Sequence, residues 1–220
     1  MSKLVWDQPT EKLYETGVEQ VALFLQESGA YPKGTPWNGV TALNVTPSGA
    51  EPTPLYANNR KYLTLMSAED MGFTIEAYTY PEEFAACNGE AAMAAGVYVG
   101  QQTRKPFGLA AKTLIGNDSE MNKHGYKLHL LYGALANPSE KAYATVNESP
   151  EAMTLSWECT TTPVEVPGFE PTAYICIDST KVDAEKLKAI EAIIYGSDDV
   201  EARLPLPAEI ATLMGDGEAA

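Results

Sequence analysis

Four segments of this chain alternate their side chains with a period of two, and that spacing dictates antiparallel strands with one buried face. Gly72 to Tyr80 sets Phe73, Ile75 and Ala77 against Thr74, Glu76 and Tyr78. Tyr126 to Tyr132 sets Tyr126, Leu128, Leu130 and Tyr132 against Lys127, His129 and Leu131. Met153 to Thr161 sets Met153, Leu155, Trp157 and Cys159 against Thr154, Ser156, Glu158 and Thr160. Thr172 to Asp178 sets Ala173, Ile175 and Ile177 opposite Tyr174 and Cys176. Successive side chains of a strand point to opposite faces, so such segments bury one set and solvate the other. Thr41 to Thr46 is a further short strand, ending at Pro47-Ser48-Gly49. Gly, Pro, Asn and Ser punctuate the gaps, as turns require.

Two helices are expected against this background. Pro81 to Cys87 reads as a short one, with Pro81 in the first turn and Asn88-Gly89 as the stop. The clearer one runs from Ala184 to Tyr195, capped by Asp183, stapled by Val182 to Leu187 and ended at Gly196. Its stripe of Leu187, Ile190 and Ile194, with Ile193 beside it, calls for a sheet to lie against.

Three stretches do not suit a compact monomer. Residues 49–66 form a long loop or protruding hairpin, with Pro52 and Pro54 at its start, Asn58-Asn59 in its middle and Tyr56, Tyr62, Leu63 and Leu65 still to bury. Residues 1–20 and 197–220 are too apolar for simple solvated ends, the latter carrying Leu204-Pro205-Leu206-Pro207. These read as arms that gain order on assembly; the alternative is that they fold back on their own domain.

Charge and composition narrow the function. A chain of 220 residues with a net charge of −15 repels nucleic-acid phosphates and anionic membrane surfaces. Its nearest approach to a basic cluster is Arg104-Lys105. Three cysteines, Cys87, Cys159 and Cys176, are odd in number and widely spaced, which suits reduced thiols in a cytoplasm. The first residues turn polar too early for a signal peptide, and no apolar run approaches a membrane span. Membrane binding is not expected.

No catalytic constellation emerges. His124 and His129 are five apart, across a turn-to-strand boundary at Gly125, which is not a metal-ligand spacing on a helix or a strand. Ser156 and Ser179 lie outside nucleophile-elbow settings, and Asp178-Ser179-Thr180 reads as a turn. Gly89 to Gly100 lacks the spacing of a phosphate loop. Neither catalytic residue, metal nor cofactor is therefore expected.

Read together, the segments resemble the major tail protein family of siphophages. The matching stretches begin with Tyr31-Pro32-Lys33-Gly34-Thr35-Pro36-Trp37-Asn38-Gly39-Val40, Pro47-Ser48-Gly49-Ala50-Glu51 and Leu55-Tyr56-Ala57-Asn58-Asn59 with Lys61-Tyr62-Leu63. They continue through Glu76-Ala77-Tyr78-Thr79-Tyr80-Pro81-Glu82-Glu83-Phe84, Arg104-Lys105-Pro106-Phe107-Gly108-Leu109 and Gly125-Tyr126-Lys127-Leu128-His129. Ser156-Trp157-Glu158, Ile177-Asp178-Ser179-Thr180 and Ala202-Arg203-Leu204-Pro205 complete an ordered run over almost the whole chain. Two departures are Asn58-Asn59, where the family often has an acidic residue, and Ala110-Ala111-Lys112 after Phe-Gly-Leu.

The resemblance implies a mostly β, sandwich- or barrel-like tail-tube fold with one packed helix, spanning residues 1–220 as one domain. It implies a virion protein assembled in the bacterial host cytoplasm into stacked, hexameric rings. The other partners implied are the tape-measure, tail-terminator and distal tail proteins, with genomic DNA passing through the lumen without specific binding. Six subunits giving four strands each would close a barrel about 48 Å across, with strands about 4.8 Å apart at roughly 40° tilt. That leaves a lumen of about 38 Å after inward side chains. Within residues 49–66, Asn58, Asn59 and Lys61 are expected at the exposed tip, with Tyr56, Tyr62 and Leu63 docking on a neighbour. The rival reading is a stand-alone β-sandwich that binds a carbohydrate or a receptor through an aromatic platform of Trp6, Trp37 and Trp157.

Overall fold

The computed structural model describes residues 4–8, 11–146 and 152–215. In chain order the strands are β1 (Tyr14–Leu25), β2 (Gly34–Pro36), β3 (Val40–Gly49), β4 (Pro52–Ala57), β5 (Arg60–Met66) and β6 (Glu69–Ala77). A 3-10 turn over Glu82–Ala86 precedes β7 (Ala91–Ala94), β8 (Val97–Val99), β9 (Phe107–Asn117), β10 (Met121–Ala136), β11 (Leu155–Thr161) and β12 (Tyr174–Asp178). Two helices follow, α1 (Ala184–Tyr195) and α2 (Pro207–Met214). Eight strands form one antiparallel sheet in the order β2-β1-β9-β10-β11-β6-β3, with β12 also on β10.

β10 is long enough to serve two partners along one edge. Lys127–Leu131 pair with β12, and Ala134–Ala136 pair with β11. Between them Gly133 takes a φ of 58°, and a Cβ there would lie 2.2 Å from the Thr162 carbonyl oxygen. Only glycine fits this bulge, and it lets the strand change partners without breaking.

The alternating segments bury the expected faces, except that Met153 is exposed ahead of β11 and Leu131 is buried on the opposite side of β10 from Leu128 and Leu130. Phe73, Ile75, Ala77, Leu155, Trp157 and Cys159 join Leu23, Phe107, Leu109 and Leu131 in the first core cluster. Val18 from β1 and Leu43 from β3, near opposite ends of the strand order, pack against the same cluster. The sheet therefore curls on itself, and the sandwich-like arrangement is realised as one sheet wrapped round a single interior. Phe84 of the 3-10 turn and Trp37 plug it, their rings 4.5 Å apart. Trp157 meets Phe84 at 5.1 Å and Trp37 at 5.6 Å, and its Nε1 donates to Asn88 Oδ1 at 3.2 Å. Aromatic edges on faces and a satisfied indole N–H are what a buried tryptophan needs.

A second cluster occupies the other face of the sheet, between Phe24, Ala110, Leu128, Leu130 and Ile177 and the stripe of α1. Leu187, Ile190 and Ile194 are all buried, as the spacing requires. The Asp183 carboxylate accepts from the N–H of Glu185 at 3.0 Å and of Lys186 at 3.2 Å, satisfying free donors of the first turn.

Several expectations are corrected. Pro81–Cys87 is a 3-10 turn over Glu82–Ala86, too short to hold an α-helix. β3 runs past Pro47 to Gly49, because it is an edge strand where proline is tolerated. The last strand starts at Tyr174, with Thr172 instead bridging to Val164. Among the described residues there are two packed helices, not one. Residues 197–215 fold back: Leu204 and Ile210 are buried, and Arg203 forms a two-pronged ion pair with Glu209 at 2.7 and 2.5 Å. The N-terminal arm is shorter than residues 1–20, since β1 begins at Tyr14. Within the two arms, residues 1–3, 9–10 and 216–220 lie outside the described residues.

Candidate assembly surfaces

Residues 49–66 resolve into a hairpin. Among the described residues β4 and β5 pair only with each other, and none of their side chains enters either core cluster. Asn58 and Asn59 have φ of 51° and 60°, the two left-handed positions of a type I′ turn. Asparagine reaches this region far more readily than most residues, which accounts for the Asn-Asn tip. The expected residues Tyr56, Asn58, Asn59, Lys61, Tyr62 and Leu63 are thus brought together and all are exposed, Tyr56 at 70% and Tyr62 at 72%. Alternation puts Leu55, Leu63 and Leu65 on one face and Tyr56, Tyr62 and Met66 on the other. An isolated two-stranded hairpin is marginal in water, so this apolar one calls for a partner surface.

A second hairpin escaped the sequence reading. β7 and β8 expose Met93, Val97 and Val99, and Tyr98 donates to Glu82 Oε1 at 2.9 Å, tying the hairpin to the 3-10 turn.

Beside these lies a four-stranded array of β1, β9, the first half of β10, and β12. Each strand is antiparallel to the next, so β1 and β12 run in opposite directions. Both outer edges are open among the described residues. β12 pairs only with β10, and β2 covers β1 only at Ala22–Phe24. Register sets this exposure, which the sequence alone did not reveal.

One face of the array lies under α1; the other is polar. There Thr113 Oγ1 and His129 Nε2 are 2.7 Å apart, and His129 Nδ1 and the Tyr174 hydroxyl are 2.7 Å apart. A neutral imidazole donates at one nitrogen and accepts at the other, and two hydroxyls can satisfy both. Beside it Lys127 forms an ion pair with Glu15. Burial lowers the His129 pKa below its usual 6.5; Lys127 adds to this and Glu15 opposes it. Because the native state holds His129 neutral, its contribution to stability is intact above pH 6.5 and is lost as pH falls below it. His129→Gln should therefore flatten the pH dependence of the thermal midpoint between pH 7.5 and 5. Identical slopes for variant and wild type would contradict this assignment.

The other polar residues singled out in the sequence are tied into local hydrogen bonds. His124 Nδ1 lies 2.7 Å from Glu120 Oε2, in the turn that Asn117 closes by accepting from Ser119 and Glu120 N–H groups. Among the described residues no three His, Cys, Asp or Glu side chains are grouped to hold a metal ion. Ser179 Oγ accepts from the Tyr126 N–H at 2.8 Å, and Asp178 closes its turn through Thr180. Arg104 donates to the carbonyls of Cys87, Ala136 and Asn137, so the short basic pair includes a structural clamp. Of the three tryptophans, Trp37 and Trp157 are buried, while Trp6 is 72% exposed. Among the described residues no helix is long and apolar enough to cross a membrane. No family model matches the chain, and no curated protein matches it.

Proposed function

We propose that this chain is the structural subunit of a phage tail tube, closing into rings that stack through the β4–β5 hairpin. The observation that carries the reading is the four-stranded antiparallel array with two open edges of opposite direction. An even number of alternating strands lets β12 of one copy meet β1 of the next in antiparallel fashion. The pattern then repeats from subunit to subunit without interruption, and closure removes edges that would otherwise recruit stray strands. Six copies supply the barrel of about 48 Å. Its polar face, turned away from α1, lines the lumen, and the chain's net charge of −15 disfavours adhesion of DNA in transit.

The reading includes the tape-measure, tail-terminator and distal tail proteins as further partners, the virion tail as the location and no catalytic role. A stand-alone carbohydrate or receptor binder has less support, because burial of Trp37 and Trp157 removes two thirds of its aromatic platform.

Negative-stain electron microscopy over a concentration series tests the proposal. Rings or hollow tubes with a lumen near 38 Å are expected on the strand-spacing estimate of about 4.8 Å. Dispersed small particles up to the highest soluble concentration would overturn it.

A further inference from the structure

Between β11 and β12 the chain leaves the edge of β10 and returns to it. Thr162 N–H donates to Gly133 O and Tyr132 N–H to Ala173 O, each at 2.9 Å, so residues 163–172 are an excursion from that edge. Val164 and Thr172 close its base with paired backbone bonds of 2.9 and 3.0 Å. At its tip Phe169 N–H donates to Val166 O at 3.1 Å across Pro167-Gly168, with Gly168 at a φ of 79°. This is the proline-then-glycine sequence that a type II turn favours. The turn presents Phe169 at 73% exposure, whereas the other four phenylalanines are fully buried.

A groove of about 720 Å³ lies on the far side of the array, between the C-terminal end of α1 and β1–β2. Its walls include Gln20, Ala22, Pro36, Tyr126, Ala192 and Tyr195. The Tyr195 hydroxyl is buried there without a hydrogen-bond partner among the described residues. Lys188 stands on the rim, and among the described residues it forms no ion pair, nor do Glu165 and Glu170, which flank the Phe169 turn.

We infer that the Phe169 turn of one copy fills the α1–β1–β2 groove of the next. This rests on the ring reading above and specifies its junction. Because β2 occupies the β1 edge from Ala22 onward, a neighbour's β12 can lie only along Tyr14–Gln20. Running antiparallel, it brings its leading end, and the excursion before it, to Gln20 and the mouth of the groove. The excursion is also on the correct face, since Val164 packs with the α1 side of the sheet. Phe169 supplies the apolar filling, and Glu165 and Glu170 approach a lining that carries Lys188, Lys112 paired with Glu19, and Glu191.

The test pairs a cross-link with a truncation. In a Cys176→Ser background, Phe169→Cys combined with Ala192→Cys should give disulfide-linked ladders of subunits under oxidising conditions, with neither single variant doing so. Phe169→Ala should raise the concentration needed for rings about tenfold or more, the scale of one lost buried ring, while leaving the thermal midpoint of the monomer unchanged. Rings that form normally with Phe169→Ala, together with no ladder from the double-cysteine variant, would sink this junction and leave the ring reading standing. A wild-type protein that never forms rings would sink both.

Discussion

Deletion of residues 52–65 is expected to abolish tube growth while leaving the thermal midpoint of the subunit nearly unchanged. Those residues contribute nothing to either core cluster, so folding does not depend on them. The stem closes easily, because Gly49 pairs with Glu69 and Ala50 N–H donates to Ala68 O at 3.3 Å. Joining Glu51 to Met66 leaves a short loop of ordinary hairpin length. What is lost is the exposed apolar surface of Tyr56, Tyr62, Leu63 and their neighbours. Burying one such side chain contributes about 1.5–3 kcal/mol, so two together give roughly 3–6 kcal/mol. At about 1.4 kcal/mol per tenfold, that is roughly a 100- to 10,000-fold rise in the concentration needed for stacking. Tyr62→Asp with Leu63→Asp should approach the deletion in effect. Sedimentation with electron microscopy reads the result, and tubes that persist in the deletion variant would show that stacking does not use this hairpin.

The largest effect on folding is expected from Trp157→Ala, at about 3–5 kcal/mol. Trp157 is 1% exposed and touches Trp37, Phe84 and Tyr80, so its removal opens the centre of the curled sheet. It also takes from Asn88 Oδ1 its indole donor in a buried position. Against a total stability of about 5–15 kcal/mol for a domain, that is from roughly a fifth of the total to all of it. Trp6→Ala, at an exposed position, should change little. Urea unfolding compares the two. A loss below about 1 kcal/mol for Trp157→Ala would remove this residue from the energetic core.

Apart from β10, where Leu131 is buried opposite Leu128 and Leu130, the strands that the sequence revealed are buried on one face only. Phe73, Ile75 and Ala77 against Thr74 and Glu76, or Leu155, Trp157 and Cys159 against Ser156 and Glu158, keep a period of two because solvent reads one side and the core the other. β9 was not recognised from periodicity, because Phe107 to Ala111 are buried on both faces and carry no alternation. β1 was hidden for a different reason. Register shifts between Thr16 and Glu19 and between Glu19 and Ala22 break its pattern, and Gln20 takes a φ of 50°. α2 begins in a proline-rich stretch with no side-chain cap, and its helix depends on burying its own Ile210 with Leu204 in the second core cluster. Of the candidate surfaces, the hairpin was legible through its Asn-Asn tip and unburied aromatics. The open edges of β1 and β12 were not, since an edge is defined by which strands are missing beside it.

The direction of the backbone hydrogen bonds in the four-stranded array has a mechanical consequence. They run across the strands, so on the proposed assembly they wind round the wall, inclined by the strand tilt of roughly 40°, while contact along the length falls to two-stranded hairpins. Such a cylinder resists internal pressure through many bonds that must fail together, yet flexes at the seams between its rings. Stiffness around the wall and suppleness along the axis would then come from two different parts of one small subunit.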